Sequence, residues 1–234
     1  MLPVGTKSVL FGVHQFLWHP FTVLLAYRKL FRCWPDFGGL LCIVLHDTPG
    51  YWGCADIDGK EGKNHPLRGA MLVGKIIFYL NRARGRSKLQ SGLLAVSQAH
   101  RCALHSGSLA RAENEPPSDI CWADKYSIFC EPEWFYLLRA RLSGEIDEFS
   151  RNAVLAGQLD PHATNREWLH WFKKFLLSRG EIRDLLLDNS IVRHHYLLRQ
   201  KIACSLKMVK HYEKTHRENP AGGCVSGNPS DRTN

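Results

Sequence analysis

The stretch Gly39-Leu-Leu-Cys-Ile-Val-Leu-His-Asp47 decides the fold of this chain. The residues between its glycine and its histidine are apolar on every face of a helix, which predicts a buried central helix. The Pro-Gly pair at 49–50 ends that helix. Because neighbouring side chains on a helix point about 100° apart, His46 and Asp47 can share one metal ion only near the helix end, where the backbone can turn. The stretch therefore predicts a buried helix that delivers two metal ligands at its end.

The rest of the chain also has a helical apolar pattern, and no run alternates with period two for long enough to indicate a strand. An all-α fold is therefore expected. One predicted helix starts at Pro20. The others cover 39–46, 65–82, 88–106, 118–130, 132–142, Trp168–Arg179 and roughly 181–214. Thr164 and Glu167 form a capping box before the helix at Trp168. The glycine-rich residues 48–64 are predicted to form a loop.

The domain division follows from composition and from these helices. Residues 1–142 are interpreted as a helical metal-binding domain, and residues 143–214 as a helical extension packed on it. The last residues, 215–234, are rich in Gly, Pro, Ser and Asn and are predicted to be a disordered tail.

Net charge, cysteine content and apolar segments indicate the kind of partner and the cellular location to expect. Lys and Arg outnumber Asp and Glu by 31 to 22, a formal charge of +9 that favours anionic partners without choosing among them. The 8 cysteines include no CxxC pair, and no secretory signal opens the chain, so reduced thiols and a cytoplasmic location are expected. The most apolar segment, Ser8–Tyr27, is interrupted by histidines and a proline, so no membrane span is predicted.

Three further segments carry potential ligands. His19 lies at a helix start 27 residues before His46, and His65 begins the helix after the loop. Asp124 lies in the middle of the apolar segment Ile120–Ser127. A buried carboxylate is costly unless it is paired or coordinates a metal ion, so Asp124 needs such a partner.

In this order, these segments resemble the motifs of the HD-domain phosphohydrolases. The family's opening histidine, followed by Val and then Ala, is similar to His19, Val23 and Ala26. Its buried Leu-Leu-His-Asp helix is similar to Leu41–Asp47, and its Ala-Asp-Lys element, which carries the last metal ligand, is similar to Ala123–Lys125.

The resemblance covers about residues 10–130 and implies a ligand set. It implies that His19, His46, Asp47 and Asp124 hold one divalent ion, with His14 as the alternative to His19. Some members hold a second ion through two additional histidines. Here these are His65, whose His-x-x-x-Gly-Ala context also resembles the bacterial diadenosine tetraphosphate hydrolases, and His105, with His100 as the alternative. One or two ions of Mn, Fe, Mg, Co, Ni or Zn are expected.

The resemblance also implies an activity. It predicts a metal-dependent phosphohydrolase that uses metal-activated water on a nucleotide or another small anionic phosphate ester. Asp47 and His65 are the expected catalytic groups at the metal, and Lys125 is expected to contact a substrate phosphate. Lys60, Lys63 and Arg68 are further candidates for attracting that anion.

Two alternatives remain open at this point. A di-iron HD-type oxygenase would use the same ligands, and a catalytically silent HD module would bind a nucleotide or a partner protein. A nucleic-acid partner is supported by net charge alone and is not expected. The sequence leaves the oligomeric state open.

Overall fold

The computed structural model describes residues 2–186, and this part of the chain is helical and contains no strand. The all-α prediction is confirmed. Its α-helices are α1 (Val4–Phe11), α2 (Trp18–Phe31), α3 (Phe37–Leu45), α4 (Thr48–Tyr51), α5 (His65–Ala83), α6 (Lys88–Ala103), α7 (Gly107–Ala112), α8 (Asp119–Tyr126), α9 (Glu133–Ser143), α10 (Glu145–Leu155), α11 (Asn165–Ser178) and α12 (Gly180–Leu186). Short 3-10 turns lie at Gly62–Asn64 and Ser127–Phe129.

Helix α3 lies among the elements that build the candidate site. It packs against α5, α6 and α2, while α8 lies along α2. The Asp36 side chain caps its first turn by accepting a hydrogen bond from the Gly39 amide. Helices α5 and α6 pack along one another, and Ser87 and Gln90 form a capping box at the start of α6.

A buried charged cluster fixes α8 against its neighbours. Asp119, the first residue of α8, accepts hydrogen bonds from Nε and Nη2 of Arg101 on α6 and from the Tyr27 hydroxyl on α2. Arg101 also donates to Asp36 at the start of α3. Because a guanidinium presents several donors in a fixed geometry, one side chain holds three helix ends in register.

The sequence predicted that helix α3 is buried on every side, but the structure leaves part of it exposed. Cys42 and Ile43 are buried, but Leu40 and Val44 are 41% and 42% exposed. Within residues 2–186, the packed helices cover one side of α3 and leave the other open. A wholly apolar sequence does not specify which face will be covered.

Other boundaries also differ from the prediction. Helix α6 ends at Ala103 rather than 106, because the Ser106 side chain caps a separate helix by accepting from the Leu109 amide. The predicted loop 48–64 contains α4 and a 3-10 turn, and the sequence analysis did not identify α1 and α10. Of the predicted helix 181–214, the structure describes residues up to 186. The remainder of that helix and the predicted tail lie outside the described residues.

One hydrophobic cluster runs through the described helices, from Val13 through α2, α3, α5 and α8 to Ile182 and Leu185 of α12. It spans the predicted boundary at residue 142, and the division into a domain and an extension stays a prediction. All six cysteines of the described part are free thiols. No helix within residues 2–186 combines the length and the apolar character needed to cross a membrane.

Candidate metal centre

Asp47 lies between two groups of metal-ligating side chains. It follows the last turn of α3 and directly precedes α4. Its Oδ2 faces His19 and His46, which form one group with Asp124, and its Oδ1 faces His65 and His105. In each group, one donor atom from every residue lies within 4.8 Å of all the others. The structure thus brings together all six residues that the resemblance implies as metal ligands.

The first group joins three helices. His19 Nε2, from the first turn of α2, lies 3.1 Å from Asp47 Oδ2, 3.1 Å from Asp124 Oδ1 and 3.2 Å from His46 Nε2. His46 Nε2 is 3.1 Å from Asp47 Oδ2. Donor atoms that share an ion at about 2.1 Å, with tetrahedral or octahedral angles, lie about 3.0–3.4 Å apart. The first group therefore has the dimensions of a metal site.

The second group joins the start of α5 to the segment after α6. His65 Nε2 lies 2.9 Å from His105 Nε2 and 3.4 Å from Asp47 Oδ1. His105 Nε2 lies 3.3 Å from the same oxygen. Three protein donors leave other coordination positions open, as at catalytic rather than structural metal sites.

Three of the four histidines are anchored in the same way. The Nδ1 atoms of His46, His65 and His105 lie 2.9, 2.6 and 2.6 Å from the carbonyl oxygens of Ile43, Gly62 and Cys102, respectively. Each Nδ1–H donates to a carbonyl three residues earlier in the chain. This hydrogen bond fixes the ring and directs Nε2 into the centre, where it presents a lone pair whenever the ring is neutral, which is the usual arrangement of metal-bound histidine.

Glycines permit the close approach of α5 to this centre. A Cβ added at Gly69 would lie 2.4 Å from the His46 carbonyl oxygen, and one at Gly50 would lie 2.5 Å from His65 Cβ. Only hydrogen fits at either position. The Gly of the His65-x-x-x-Gly element therefore has a packing role: it lets α5 rest on the end of α3 that carries the ligands.

The ionisation of the first group favours a cation. Burial alone would raise the pKa of Asp47, but the adjoining His46 and His14 hold it well below its ordinary value. Burial likewise opposes ionisation of Asp124, yet hydrogen bonds from His19 and His46 keep its pKa well below the ordinary value. Two carboxylates thus remain charged in a buried space, which is expensive unless a proton on histidine or a metal ion balances them.

The second group is different, because burial lowers the pKa of His65 to about 3. His65 is therefore neutral at physiological pH, as a metal ligand must be. Together, the donor distances, the tautomers and the charged carboxylates fit one divalent ion in the first group and a second ion in the second group. The imidazole-rich donor set suits Mn, Fe, Co, Ni or Zn better than Mg.

A further buried pair lies beside the first group, and the sequence analysis missed half of it. His14 Nδ1 is 2.8 Å from Glu145 Oε1, while His14 Nε2 is 3.8 Å from Asp47 Oδ2. Burial disfavours protonation of His14, but Asp47 and Glu145 outweigh it and raise its pKa to about 9. His14 is thus a charged neighbour of the centre, whereas His19 belongs to the first group of donors. Glu145 follows Gly144 at the start of α10 and had no sequence signal.

Of the remaining predicted residues, the fold places two at the cavity and three away from it. His100 lies away from the centre, with its Nε2 3.1 Å from Glu115 Oε2. Lys125 and Lys63 line the cavity in front of the metal ligands. The other two basic candidates, Lys60 and Arg68, are not part of that lining, and Arg68 donates to the Gly50 carbonyl.

The cavity in front of the centre has a volume of about 990 Å³ among the described residues. Its lining includes His19, Asp47, His65, His105 and Asp124. Arg111, which the sequence analysis did not identify, also lines it. A Cβ at Gly107 would lie 3.7 Å from Arg111 Nη1 and 3.9 Å from Lys125 Cε, so these two basic side chains converge on the same small residue.

Comparisons of the chain with models of protein families, with curated proteins and with solved structures gave no match. The case for a function therefore depends on the geometry of the centre and its cavity.

Proposed function

We propose that this protein is a metal-dependent phosphohydrolase of the HD type that acts on a small phosphate ester. One observation carries the proposal: the two oxygens of Asp47 face two separate donor groups. A carboxylate shared in this way is suited to bridge two ions, and paired ions about 3.5–4 Å apart are typical of enzymes that hydrolyse phosphate esters. The ordered HD-like motifs of the sequence agree with this arrangement.

The residues of the centre have distinct tasks in this proposal. His19, His46, Asp47 and Asp124 hold the first ion, and His65 and His105 complete a second site with Asp47. When bound, such ions supply Lewis-acid activation of water and neutralise charge on a phosphoryl oxygen. The carbonyl-anchored rings of His46, His65 and His105 keep the donor atoms preorganised, so little reorganisation accompanies binding.

The basic side chains of the cavity support a substrate with a phosphate group. Lys125 lies next to Asp124 in the chain, and a positive charge there is favourable: Cys121 and the carboxylates of Asp124 and Asp47 outweigh the opposing effect of burial and raise the pKa of Lys125. Arg111 converges with Lys125 at Gly107. The proposal assigns these two cations to the phosphoryl oxygens that do not face the metal ligands, because fixed positive groups stabilise the charge of a transferring phosphoryl group.

The experiment combines metal analysis with hydrolysis. Protein purified without chelator is analysed for metal content, reconstituted separately with Mn, Fe, Co, Ni and Zn, and assayed for phosphate release from a panel of phosphate esters. We expect two ions per chain in the unmodified protein. In Asp47→Ala, the loss of a shared ligand is expected to weaken metal binding by at least ~100-fold and to abolish hydrolysis, with the helical circular dichroism retained.

Asp58→Ala is the matched control, because Asp58 lines the same cavity but lies outside both donor groups. It should keep both ions. Metal-dependent hydrolysis that survives in Asp47→Ala would refute the proposal. Bound iron with oxygen consumption and no phosphate release would instead indicate the di-iron oxygenase, and no metal even after reconstitution would indicate the silent binding module.

A further inference from the structure

One wall of the cavity that the metal ligands line is aromatic. Helix α11 directs a stripe of side chains spaced three or four residues apart, which is one face of a helix, into the cavity. These are Trp168, Trp171, Phe172, Phe175 and Leu176. Trp168 and Leu176 are buried in the core, but Trp171 and Phe172 are half-buried and Phe175 is 37% exposed. The stripe thus continues beyond what core packing requires.

The rings of this wall form two stacks, with Trp171 tilted by 39° from Phe172 between them. Phe172 and Phe149 lie on Trp168 with interplanar angles of 12° and 15° and centroid distances of 5.3 and 5.5 Å. Trp171 and Phe175 are parallel to within 17°. A layered arrangement of flat rings presents a smooth apolar surface, to which another flat ring can add with favourable offset stacking.

The volume of the cavity also exceeds what a phosphate group needs. About 990 Å³ is at the upper end of the range for sites that bind drug-sized ligands. Besides the groups of the metal centre, Gln158 and Arg179 line the cavity, and the Arg179 guanidinium lies 6.0 Å from the centre of the Phe175 ring and pairs with Glu181. Near the aromatic wall, the Asn152 amide donates to Asp58, 3.3 Å away, so it is already engaged with the protein. A small polar ester would leave the apolar wall in contact with water.

We propose that the α11 wall is a binding subsite for a flat apolar group, so that the substrate is a phosphate ester carrying an aromatic hydrocarbon-like part. This inference rests on the proposed function for the placement of the phosphate at the metal end. The aromatic wall itself is independent of the metal ligands, since its residues belong to α10 and α11 and to no donor group.

The experiment compares esters with the same kind of leaving group. 2-Phenylethyl phosphate, ethyl phosphate, glycerol 1-phosphate and adenosine 5′-phosphate all release a primary alcohol, so differences in kcat/KM report recognition rather than leaving-group reactivity. Burial of the phenyl group is expected to raise kcat/KM by at least ~30-fold over ethyl phosphate. Trp171→Ala and Phe175→Ala should each reduce that preference about 10-fold.

Binding provides a readout without turnover. Calorimetry should find that 3-phenylpropylphosphonate binds the unmodified protein at least ~30-fold more tightly than propylphosphonate, with a negative heat-capacity change. Trp134→Ala is the matched control: Trp134 is 69% exposed on α9 and does not line the cavity, so its loss should leave the preference unchanged.

The outcomes separate the two proposals. Equal binding of the two phosphonates, or equal kcat/KM for the phenylethyl and ethyl esters, would overturn the apolar subsite and leave the phosphohydrolase standing. A clear preference for adenosine 5′-phosphate over the phenylethyl ester would also overturn it. If no ester is hydrolysed but the phosphonate preference is present and is lost in Trp171→Ala, the subsite is supported and the hydrolase proposal fails.

Discussion

The tautomer of each anchored histidine is set by a local contact, since each Nδ1 atom lies close to a carbonyl oxygen three residues earlier. For His46, His65 and His105, the orientation of the ring is thus fixed before any ion binds. The Nε2 atoms of the two histidines in the second group face each other across 2.9 Å, a spacing that suits two ligands of one cation. At this scale, the candidate site is a set of preorientated donors.

The two histidines of the α6 region give the most direct test of the second ion. We expect His105→Ala to reduce the metal content from two ions to one per chain, because it removes one of three protein donors of the second group. His100→Ala should keep two ions, since His100 pairs with Glu115 instead. Elemental analysis of both variants makes the comparison. Equal metal content in the two variants would show that the second group is not a metal site.

Both oxygens of the buried Glu145 carboxylate accept two hydrogen bonds each. Its Oε1 accepts from Ser8 and His14, and its Oε2 accepts from the Val13 amide and Ser143. We expect Glu145→Gln to lower the free energy of unfolding by about 1–3 kcal/mol, because either orientation of the amide directs its NH2 group at other donors. Urea unfolding followed by circular dichroism measures this loss.

Glu148→Gln serves as the comparison for Glu145→Gln. Glu148 accepts hydrogen bonds only from the backbone amides of Ile57 and Asp58 among the contacts resolved, and a glutamine carbonyl can still accept them. Glu148→Gln should lower the free energy of unfolding by less than about 0.5 kcal/mol. Equal losses in the two variants would contradict the donor-crowding explanation.

The ligand types were foreseeable at this scale, but not their partners. An ordered series of His, His-Asp, His and Asp within apolar contexts indicated the donors. His14 was weighed only as a substitute for His19, because nothing in the local sequence revealed Glu145, 131 residues away along the chain. Lys60 and Arg68 were expected at the cavity but do not line it. Lys60 lies in the loop before α5, whereas Arg68, in the first turn of α5, donates to the Gly50 carbonyl, a contact that the local sequence does not specify.

Among the elements, the contact between α5 and the end of α3 controls the centre. Gly69 sits where a Cβ would lie 2.4 Å from the His46 carbonyl oxygen. We expect Gly69→Ala to destabilise the protein by about 1–3 kcal/mol, because α5 must move away from α3. The same movement separates His65 from Asp47, so metal binding should weaken as well. Thermal unfolding and metal titration record the two effects.

Gly92 provides a matched control on α6, where an added Cβ meets nothing within 4 Å. Gly92→Ala should stabilise the protein by about 0.5–1 kcal/mol, because alanine restricts the unfolded chain and favours the helix. If Gly69→Ala is also stabilising, the close approach of α5 and α3 is not a constraint.

The local sequence pattern predicted where a helix forms better than it predicted which of its faces is buried. Helix α5 begins at His65 and ends one residue beyond the prediction, because its apolar stripe and its proline in the first turn are local signals. The exposure of Leu40 and Val44 on α3 was not foreseen. That exposure depends on which side of the helix its neighbours occupy, and neighbours are a tertiary property.

For the whole molecule, metal and folding should be coupled. The donors come from α2, the end of α3, α5, the segment after α6, and α8, so an ion bound by them stabilises only the assembled chain. A metal ion at about a thousand times its Kd should add about 4 kcal/mol to the free energy of unfolding and raise Tm by roughly 10 °C. Calorimetry with metal and with excess chelator measures this difference. Asp47→Ala should show no such shift, and an unchanged Tm in the unmodified protein would contradict the coupling.

The sequence by itself determined the fold class and the chemical types of the candidate ligands. Apolar periodicity, caps and breaks are properties of neighbouring residues, so they could predict helices and place a His-Asp pair at the end of one of them. Only the tertiary structure decided that the two oxygens of Asp47 face different groups, that His105 rather than His100 joins the second, and that α11 lines the same cavity as the ligands with an aromatic wall. These relations join residues far apart in the chain, such as His65 and His105, and they arise only when the helices pack against one another.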